Sequence, residues 1–277
     1  MGTKDHQNKT PLIAAIVNGN MEITKYFFTN FYTKRMNELV KMYDADRRNI
    51  IHFAILSGHI QIIKIVLELL KPNKQVLKKL LTGKDAKGNS PFHLESQLGK
   101  LGSFTKDFVN LYTNQELLLK NELDQTPFHI ASKYGNLPMI EALLDRDHKS
   151  EDVFFINSLD LDSSTPLHLA TLNKQVEIVK LLLSRGSDPK ALNSIGWTSI
   201  SCAANSGDLE SLIAIVDSSN RIDIDVTDNN NTTPLHLAAK EGHSAIIDYL
   251  LQKGANVTVK DYKNRNPLEM AIEKGKK

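Results

Sequence analysis

The sequence predicts an all-α protein built from repeated pairs of helices, and three observations support this. The phrase Thr165–Ala170 (TPLHLA) recurs unchanged at Thr233–Ala238. The segment Val176–Leu183 that follows carries apolar residues at i, i+3 and i+4, the spacing of a helix with one buried face. Gly186 comes after that segment and supplies a left-handed residue that ends a helix. Recurrence of such a unit at a fixed period is typical of stacked helix–turn–helix repeats.

Each copy of the phrase begins with residues that favour the start of a helix. A threonine hydroxyl can cap free backbone N–H groups, and proline suits the first helical turn. Close copies begin at Thr126 and Ser90, and weaker copies begin at Thr10, Asn49, Thr198 and Asn266. The residues at the proline position are separated by 39, 41, 36, 39, 33, 35 and 33 residues; they are Pro11, Ile50, Pro91, Pro127, Pro166, Ser199, Pro234 and Pro267.

These copies resemble the ankyrin-repeat family, whose signature is T-P-L-H-x-A at a period of about 33 residues. The resemblance implies an ankyrin-repeat solenoid of about seven to eight helix–turn–helix repeats, with β-hairpin or loop fingers between them. We expect a single domain over residues 1–277, with repeats near 8–43, 47–84, 88–123, 124–160, 163–195, 196–229, 231–261 and 264–277. The last repeat lacks its second helix. We therefore expect the parent protein to continue past Lys277; the alternative is that the single helix acts as a minimal cap.

Several segments depart from the regular pattern. Insertions at residues 28–44 and 71–83 are expected to extend a second helix or the loop after it. Repeat three has Glu95–Gln97 where the family has alanines, and Gly99–Ser103 predicts a loosened turn. The charged segment Asp145–Asp152 is expected to be a solvated loop.

Composition and charge narrow the classes of function. The chain has 34 basic and 32 acidic residues, and this balance argues against nucleic acid or an anionic membrane as a partner. One cysteine, Cys202, cannot form an internal disulfide, so a cytoplasmic location is expected. The polar N-terminus lacks a signal peptide, and no apolar run is long enough to insert in a membrane. We expect the domain to be a monomer.

The sequence predicts no enzyme and no catalytic, cofactor or metal site. Cys202 falls in a first helix with no paired base, and no phosphate-binding loop or catalytic motif is present. Five histidines occupy the same position of successive repeats, where stacking would keep them apart. We expect them to hydrogen-bond the backbone between repeats; they are His52, His93, His129, His168 and His236.

The family resemblance implies binding of a partner protein through the finger tips and the exposed face of the first helices. Trp197 is the main predicted anchor, because it is the only tryptophan and its register places it at an exposed tip. The alternative is that Trp197 packs on the adjacent finger. The other predicted partner-binding residues are Tyr134, Leu123, Leu161, Ile195, Leu172, Lys133, Asn229, Asn230 and Lys240.

One segment also resembles a modification site of this family. Residues Leu250–Val257 are similar to the context of ankyrin asparagine hydroxylation, with Asn256 as the acceptor. The alternative is that Asn256 serves the repeat structure alone.

We expect the protein to act as a protein–protein interaction scaffold or adaptor. One alternative is the cytosolic ankyrin region of an ankyrin-type transient receptor potential channel, which Gly196–Thr198, Thr233–His243 and Asn266–Lys276 resemble. A membrane segment beyond Lys277 would favour it. A second alternative is a secreted bacterial or parasite effector that engages host proteins, which a secretion signal elsewhere would favour. The sequence does not identify the partner, the source organism or the oligomeric state.

Overall fold

The computed structural model describes residues 10–32, 34–147, 156–219 and 222–275. The regular structure in these ranges is helical and includes no strand, so the predicted all-α class is confirmed and the described fingers are loops. The chain divides into two compact units. Unit 1 comprises residues 1–130 and 141–146, and unit 2 comprises residues 131–140 and 147–277.

Unit 1 contains regular helix pairs and shorter added helices. Its described helices are α1 (Pro11–Val17), α2 (Met21–Phe27), α3 (Met36–Leu39), α4 (Ile50–Ser57), α5 (Ile60–Leu70), α6 (Lys74–Leu81), α7 (Pro91–Leu98), α8 (Thr105–Val109) and α9 (Asn114–Leu117). A π-helical turn spans Phe28–Tyr32, and a 3-10 turn spans Gly102–Phe104. Residues of α10 (Pro127–Tyr134) and α11 (Leu137–Asp147) fall in both units.

The described part of unit 2 consists of regular pairs and one final unpaired first helix. Its remaining described helices are α12 (Pro166–Leu172), α13 (Val176–Ser184), α14 (Ser199–Ser206), α15 (Leu209–Asp217), α16 (Pro234–Glu241), α17 (Ser244–Gln252) and α18 (Pro267–Glu273). The first helices α12, α14, α16 and α18 pack in that order, and the second helices α13, α15 and α17 pack beside one another. This is the stacking that the recurring phrase predicts.

The first helices begin and end for local reasons. At the start of α16, the Thr233 hydroxyl accepts the His236 N–H at 3.3 Å, and His236 Nδ1 accepts the Thr233 N–H at 3.2 Å. This reciprocal cap satisfies two free donors of the first turn. At the end of α14, Gly207 has φ +77°, and a Cβ there would lie 2.6 Å from the His243 ring. Both the backbone and the close approach therefore require glycine.

The two insertions form different structures. The first continues α2 as the π-helical turn, as expected for an extended second helix, and then forms the separate short helix α3. The second is an additional helix, α6, so the expectation of an extension or loop was wrong there. Pro72 cannot donate the backbone hydrogen bond that would continue α5. Asn73 then caps a new helix by accepting the Val76 N–H at 3.1 Å, and Val76 and Leu80 are buried.

Repeat three contains a buried carboxyl group. Glu95 is fully buried in α7, and its Oε1 accepts the Leu101 N–H at 2.9 Å across the loosened turn. Burial raises the pKa of Glu95 to about 7. The short α8 leaves core space that aromatic rings fill, with Tyr112 stacked on Phe92 at 4.7 Å between ring centroids. Residues 145–147 of the predicted charged loop belong to α11, so the expectation of a loop was wrong there, and residues 148–152 lie outside the described residues.

Candidate protein-binding site

Each described finger is held by an aspartate or asparagine five residues before the residue that caps the next first helix. In one finger, Asp228 Oδ1 accepts the N–H groups of Asn230 and Thr232, both at 2.8 Å. The Asp228 N–H donates to the Thr232 carbonyl at 3.0 Å, which closes the loop. The same pair of side-chain bonds occurs at Asp44, Asp85, Asn121, Asp160, Asn193 and Asp261.

This side chain, which hydrogen-bonds the backbone of its own turn, was missed in the sequence analysis. The signal is an Asp or Asn at a fixed distance before the cap, and such residues are known to stabilise turns in this way. The fourth residue of each finger has positive φ, as at Gly196 (82°) and Asn231 (56°). Glycine and asparagine tolerate that conformation better than other residues. A finger is therefore a loop that side-chain and backbone hydrogen bonds hold in one conformation, without strand pairing of its own.

Four fingers of unit 2 form a row that we call the tip ridge; it consists of Leu161, Asp162, Ser194, Ile195, Asn229, Asn230, Tyr262 and Lys263. Backbone bonds join each finger to the next. The Ser194 N–H donates to Asp162 at 2.8 Å, the Asn229 N–H to Ile195 at 3.2 Å, and the Tyr262 N–H to Asn230 at 2.9 Å. The predicted site residues Leu161, Ile195, Asn229 and Asn230 therefore lie in one hydrogen-bonded row.

The tip ridge exposes three apolar side chains separated by polar ones. Leu161 is 64% exposed, Ile195 is 47% exposed and Tyr262 is 62% exposed. Asn229 and Asn230 are also exposed and lie between them in the row. Tyr262 was not among the partner-binding residues predicted from the sequence. The result is a set of apolar side chains that unit 2 leaves in contact with water.

Trp197 does not project from a tip. It is half-buried, and its indole N–H donates to Asp228 Oδ2 of the next finger at 3.1 Å. The expectation of an exposed tip tryptophan was therefore wrong, and the alternative of packing on the adjacent finger describes its position. The reason is that the stacking of fingers brings the Asp228 carboxylate within reach of the ring.

The histidines of the recurring phrase link successive repeats through the backbone. His168 Nδ1 accepts the Thr165 N–H at 3.1 Å, so its Nε2–H donates to the Trp197 carbonyl at 2.9 Å. His93 bonds the Gln125 carbonyl in the same way at 2.9 Å, and burial lowers its pKa to about 4. His93 and His168 thus have a structural role, as expected from the sequence, and burial lowers the pKa of both.

The remaining predicted binding residues lie at helix ends and on one further tip. In unit 2, Tyr134 is 48% exposed with Lys133 Nζ at 5.6 Å from its ring, and Leu172 and Lys240 are half-buried. Lys240 pairs with Glu241 at 2.9 Å. In unit 1, Leu123 lies on a finger tip and is 54% exposed.

Asn256 lies on an exposed turn of unit 2. Its Oδ1 accepts the Thr258 N–H at 2.9 Å and the Thr258 hydroxyl at 2.7 Å. Its own N–H donates to Asp225 at 3.0 Å. The side chain therefore has a structural role in this turn, and its hydroxylation stays a prediction that peptide mass spectrometry would test.

The described residues also bear on other kinds of site. They contain no group of three or more His, Cys, Asp or Glu side chains arranged to hold a metal ion. Cys202 is fully buried, and burial raises the pKa of its thiol. Among the helices that the structure describes, none is long and apolar enough to cross a membrane.

Comparison with known proteins gives relatives of several kinds. The mouse (Mus musculus) B-cell lymphoma 3 protein homolog is 32% identical over 161 residues, which are 55% of this chain and 34% of that protein. The probable 26S proteasome regulatory subunit p28 of Saccharomyces cerevisiae is 29% identical over 199 residues, 70% of this chain and 83% of that protein. Human (Homo sapiens) transient receptor potential cation channel subfamily A member 1 is 27% identical over 218 residues, 77% of this chain and 18% of that protein.

The chain spans about a third of the length of the B-cell lymphoma 3 proteins that it matches. The family described as "Ankyrin repeats (3 copies)" matches residues 1–76, 69–193, 173–261 and 199–277. Because these matches cover the whole sequence and the helix pairs carry the expected caps, the chain belongs to the ankyrin-repeat family.

Proposed function

We propose that the protein is an interaction scaffold or adaptor, and that unit 2 binds a partner protein through the tip ridge. The observation that carries this proposal is the row of exposed Leu161, Ile195 and Tyr262 on fingers joined by backbone hydrogen bonds. Ankyrin repeats are generally protein-interaction modules, and this agrees with the family assignment.

The construction of the fingers favours tight binding. Association costs free energy when loops and side chains must become ordered, and a preformed surface lowers that cost. In the tip ridge the backbone is already fixed by the Asp160, Asn193, Asp228 and Asp261 side chains. Partner binding would then bury Leu161, Ile195 and Tyr262 as anchors, with the polar tips forming a rim.

Trp197 has a positioning role in this proposal. Its indole bond to Asp228 and its backbone bonds to Asn193 connect two neighbouring fingers. We assign the anchor role to the three exposed tip side chains, and we propose that the exposed part of the half-buried Trp197 ring adds to the contact. Tyr134, Lys133, Leu172 and Lys240 are proposed to contact the partner from the first-helix ends.

Affinity capture from a cell lysate with quantitative mass spectrometry tests the proposal. The bait variant Leu161→Ser/Ile195→Ser removes two tips, and Tyr134→Ala tests the first-helix ends. Leu251→Ser/Val257→Ser is the matched control, since those side chains are 42% and 52% exposed in unit 2 but lie outside the tip ridge. We expect the tip variant alone to lose most of the captured partner, with a smaller loss for Tyr134→Ala. Equal capture by the tip variant and the control would contradict the proposal.

A second candidate function is the ankyrin region of a transient receptor potential channel. The match to the human channel protein covers 77% of this chain, which favours it, although it covers 18% of that protein. An immunoblot of source cells with an antibody against this chain separates the two candidates. A product far larger than 31.0 kDa in the membrane fraction would favour the channel. A product in the cytosolic fraction would favour the adaptor, for which we propose a cytoplasmic location.

A further inference from the structure

The inserted helix α6 gives unit 1 a concentration of positive charge. Residues 71–84 contain five lysines and no acidic residue, in a chain whose charges otherwise nearly balance; these lysines are Lys71, Lys74, Lys78, Lys79 and Lys84. The side chains of Lys71, Lys74, Lys78 and Lys79 are exposed. The insertion is not needed to complete a helix pair, because α4 and α5 already form one.

A cleft with a mixed polar and apolar lining lies beside these lysines, and we call it the basic cleft. Its volume is about 430 Å³, and it lies between α5, α6 and the segment that contains α8. The apolar part of its wall consists of Leu67, Leu77, Phe104 and Leu111. The cleft exists because Pro72 ends α5 and α8 is only five residues long, so no full second helix fills this side of repeat three.

The lining of the basic cleft carries two lysines and two acids, and the further lysines of α6 lie beside it. Lys64 and Lys71 line it, and Lys74 lies one helical turn before the lining residue Leu77. Two exposed acids, Glu68 and Asp107, also line it. Lys78 is partly neutralised, because it pairs with Glu116 at 3.2 Å. The ion pairs of the described residues do not include Lys71 or Lys74, so both ammonium groups are available to an external anion.

We propose that the basic cleft binds an acidic segment of a partner protein that carries a protruding apolar side chain. The apolar side chain would fill the space between Leu77, Phe104 and Leu111, while its carboxylates would face Lys71 and Lys74. Concave apolar pockets with a few placed charges are typical of such binding sites. This surface goes beyond the tip ridge and does not depend on the function proposed for unit 2.

The geometry favours a peptide over a lipid surface or a nucleic acid. A bilayer is held by apolar side chains that project into it, and here Leu67 and Phe104 line a concave cleft and do not protrude. Unpaired bases bind by stacking on open aromatic faces, but Lys64 Nζ already lies 5.1 Å from the Phe104 ring centroid. An acidic peptide can bind without any apolar side chain of this protein projecting from the surface and without an open aromatic ring on this protein.

A display library of random dodecapeptides, selected on the whole chain, tests this proposal. We expect the enriched peptides to be net acidic with a Leu, Phe or Trp. Synthetic versions should bind the Lys71→Glu/Lys74→Glu variant about tenfold more weakly, and binding should weaken as salt is raised. Leu111→Asn should also weaken binding, because Leu111 is an exposed part of the apolar wall. Circular dichroism confirms that each variant is folded.

The control Lys25→Glu/Lys253→Glu reverses two exposed lysines outside the basic cleft and should bind like the wild type. Vesicles of phosphatidylcholine with phosphatidylserine and a single-stranded oligonucleotide complete the panel. The proposal is overturned if no peptide is enriched, if enriched peptides show no acidic bias, or if cleft and control variants bind equally. Binding of the vesicles or the oligonucleotide, but not the peptides, overturns it as well. Loss of tip-ridge binding would leave these outcomes unaffected.

Discussion

The two units share one repeat but differ in how closely they keep to it. In unit 2 the successive first helices begin 33, 35 and 33 residues apart, whereas in unit 1 the spacings are 39, 41 and 36. Unit 2 places Ala238 in the slim first helix at the position where unit 1 has the buried Glu95. The regular unit exposes apolar side chains on its finger tips, and the irregular unit has additional helices.

This difference indicates two ways in which a repeat protein acquires a binding surface. In unit 2 the caps, histidines and finger aspartates are occupied by the scaffold, whereas the finger tips have no such role. In unit 1 the insertion of α6 and the shortening of α8 create a basic cleft on the helices themselves. We therefore propose that specificity follows from side chains at fixed positions in unit 2 and from a change of backbone in unit 1.

The largest expected effect tests the scaffold of the regular unit. His168→Ala removes the ring that bonds Thr165 and the Trp197 carbonyl, and it leaves a cavity. We expect the free energy of unfolding to fall by about 3 kcal/mol, measured by urea denaturation. The control His59→Ala alters an exposed histidine of unit 1 and should cost less than about 0.5 kcal/mol. Equal losses for the two variants would contradict the assigned role.

The next effect tests the irregular unit through pH. Glu95 ionises near pH 7 in the folded chain and at its lower ordinary pKa when unfolded, so unfolding releases a proton between these values. Its contribution therefore makes the free energy of unfolding fall as pH rises through this window. We compare the free energy of unfolding of Glu95→Gln with that of the wild type. The value for the variant minus the value for the wild type should increase by about 2.5 kcal/mol from pH 5 to pH 8. A difference independent of pH would show that the carboxyl group does not titrate in this way.

A smaller effect tests the fingers. Asp228→Ala removes the acceptor of two backbone N–H groups and of the Trp197 indole, and we expect a loss of about 1.5 kcal/mol in the free energy of unfolding. Asp228→Asn keeps an Oδ1 acceptor, as Asn193 does in the preceding finger, and should lose less than half of that. Thermal and urea unfolding of both variants provide the measurement. If asparagine costs as much as alanine, the turn bonds are not what stabilises the finger.

Much of the fold was predictable because its causes are local in sequence. A threonine, a proline and a histidine three residues after the threonine specify the caps at Thr165 and Thr233, which recur in register. The helix α6 was missed because its start depends on Pro72 ending one helix and Asn73 capping another within two residues. The sequence alone showed only that this segment was amphipathic.

The candidate site was predicted only in part, for a physical reason. The tips Leu161 and Ile195 follow from register, and the structure places both in the tip ridge. Trp197 could not be placed correctly, because its exposure depends on Asp228, a residue 31 positions later that only stacking brings close. The basic cleft depends on three elements from two repeats and has no signature in any one of them.

The most direct test of the account compares binding of the captured partner to three purified forms of the chain by calorimetry. The forms are the wild type, Leu161→Ser/Ile195→Ser in the tip ridge, and Lys71→Glu/Lys74→Glu in the basic cleft. We predict that the tip variant raises Kd by at least about tenfold, as expected for lost apolar anchors. The cleft variant should leave Kd unchanged. An unchanged Kd for the tip variant would contradict the assignment of partner binding to the tip ridge of unit 2.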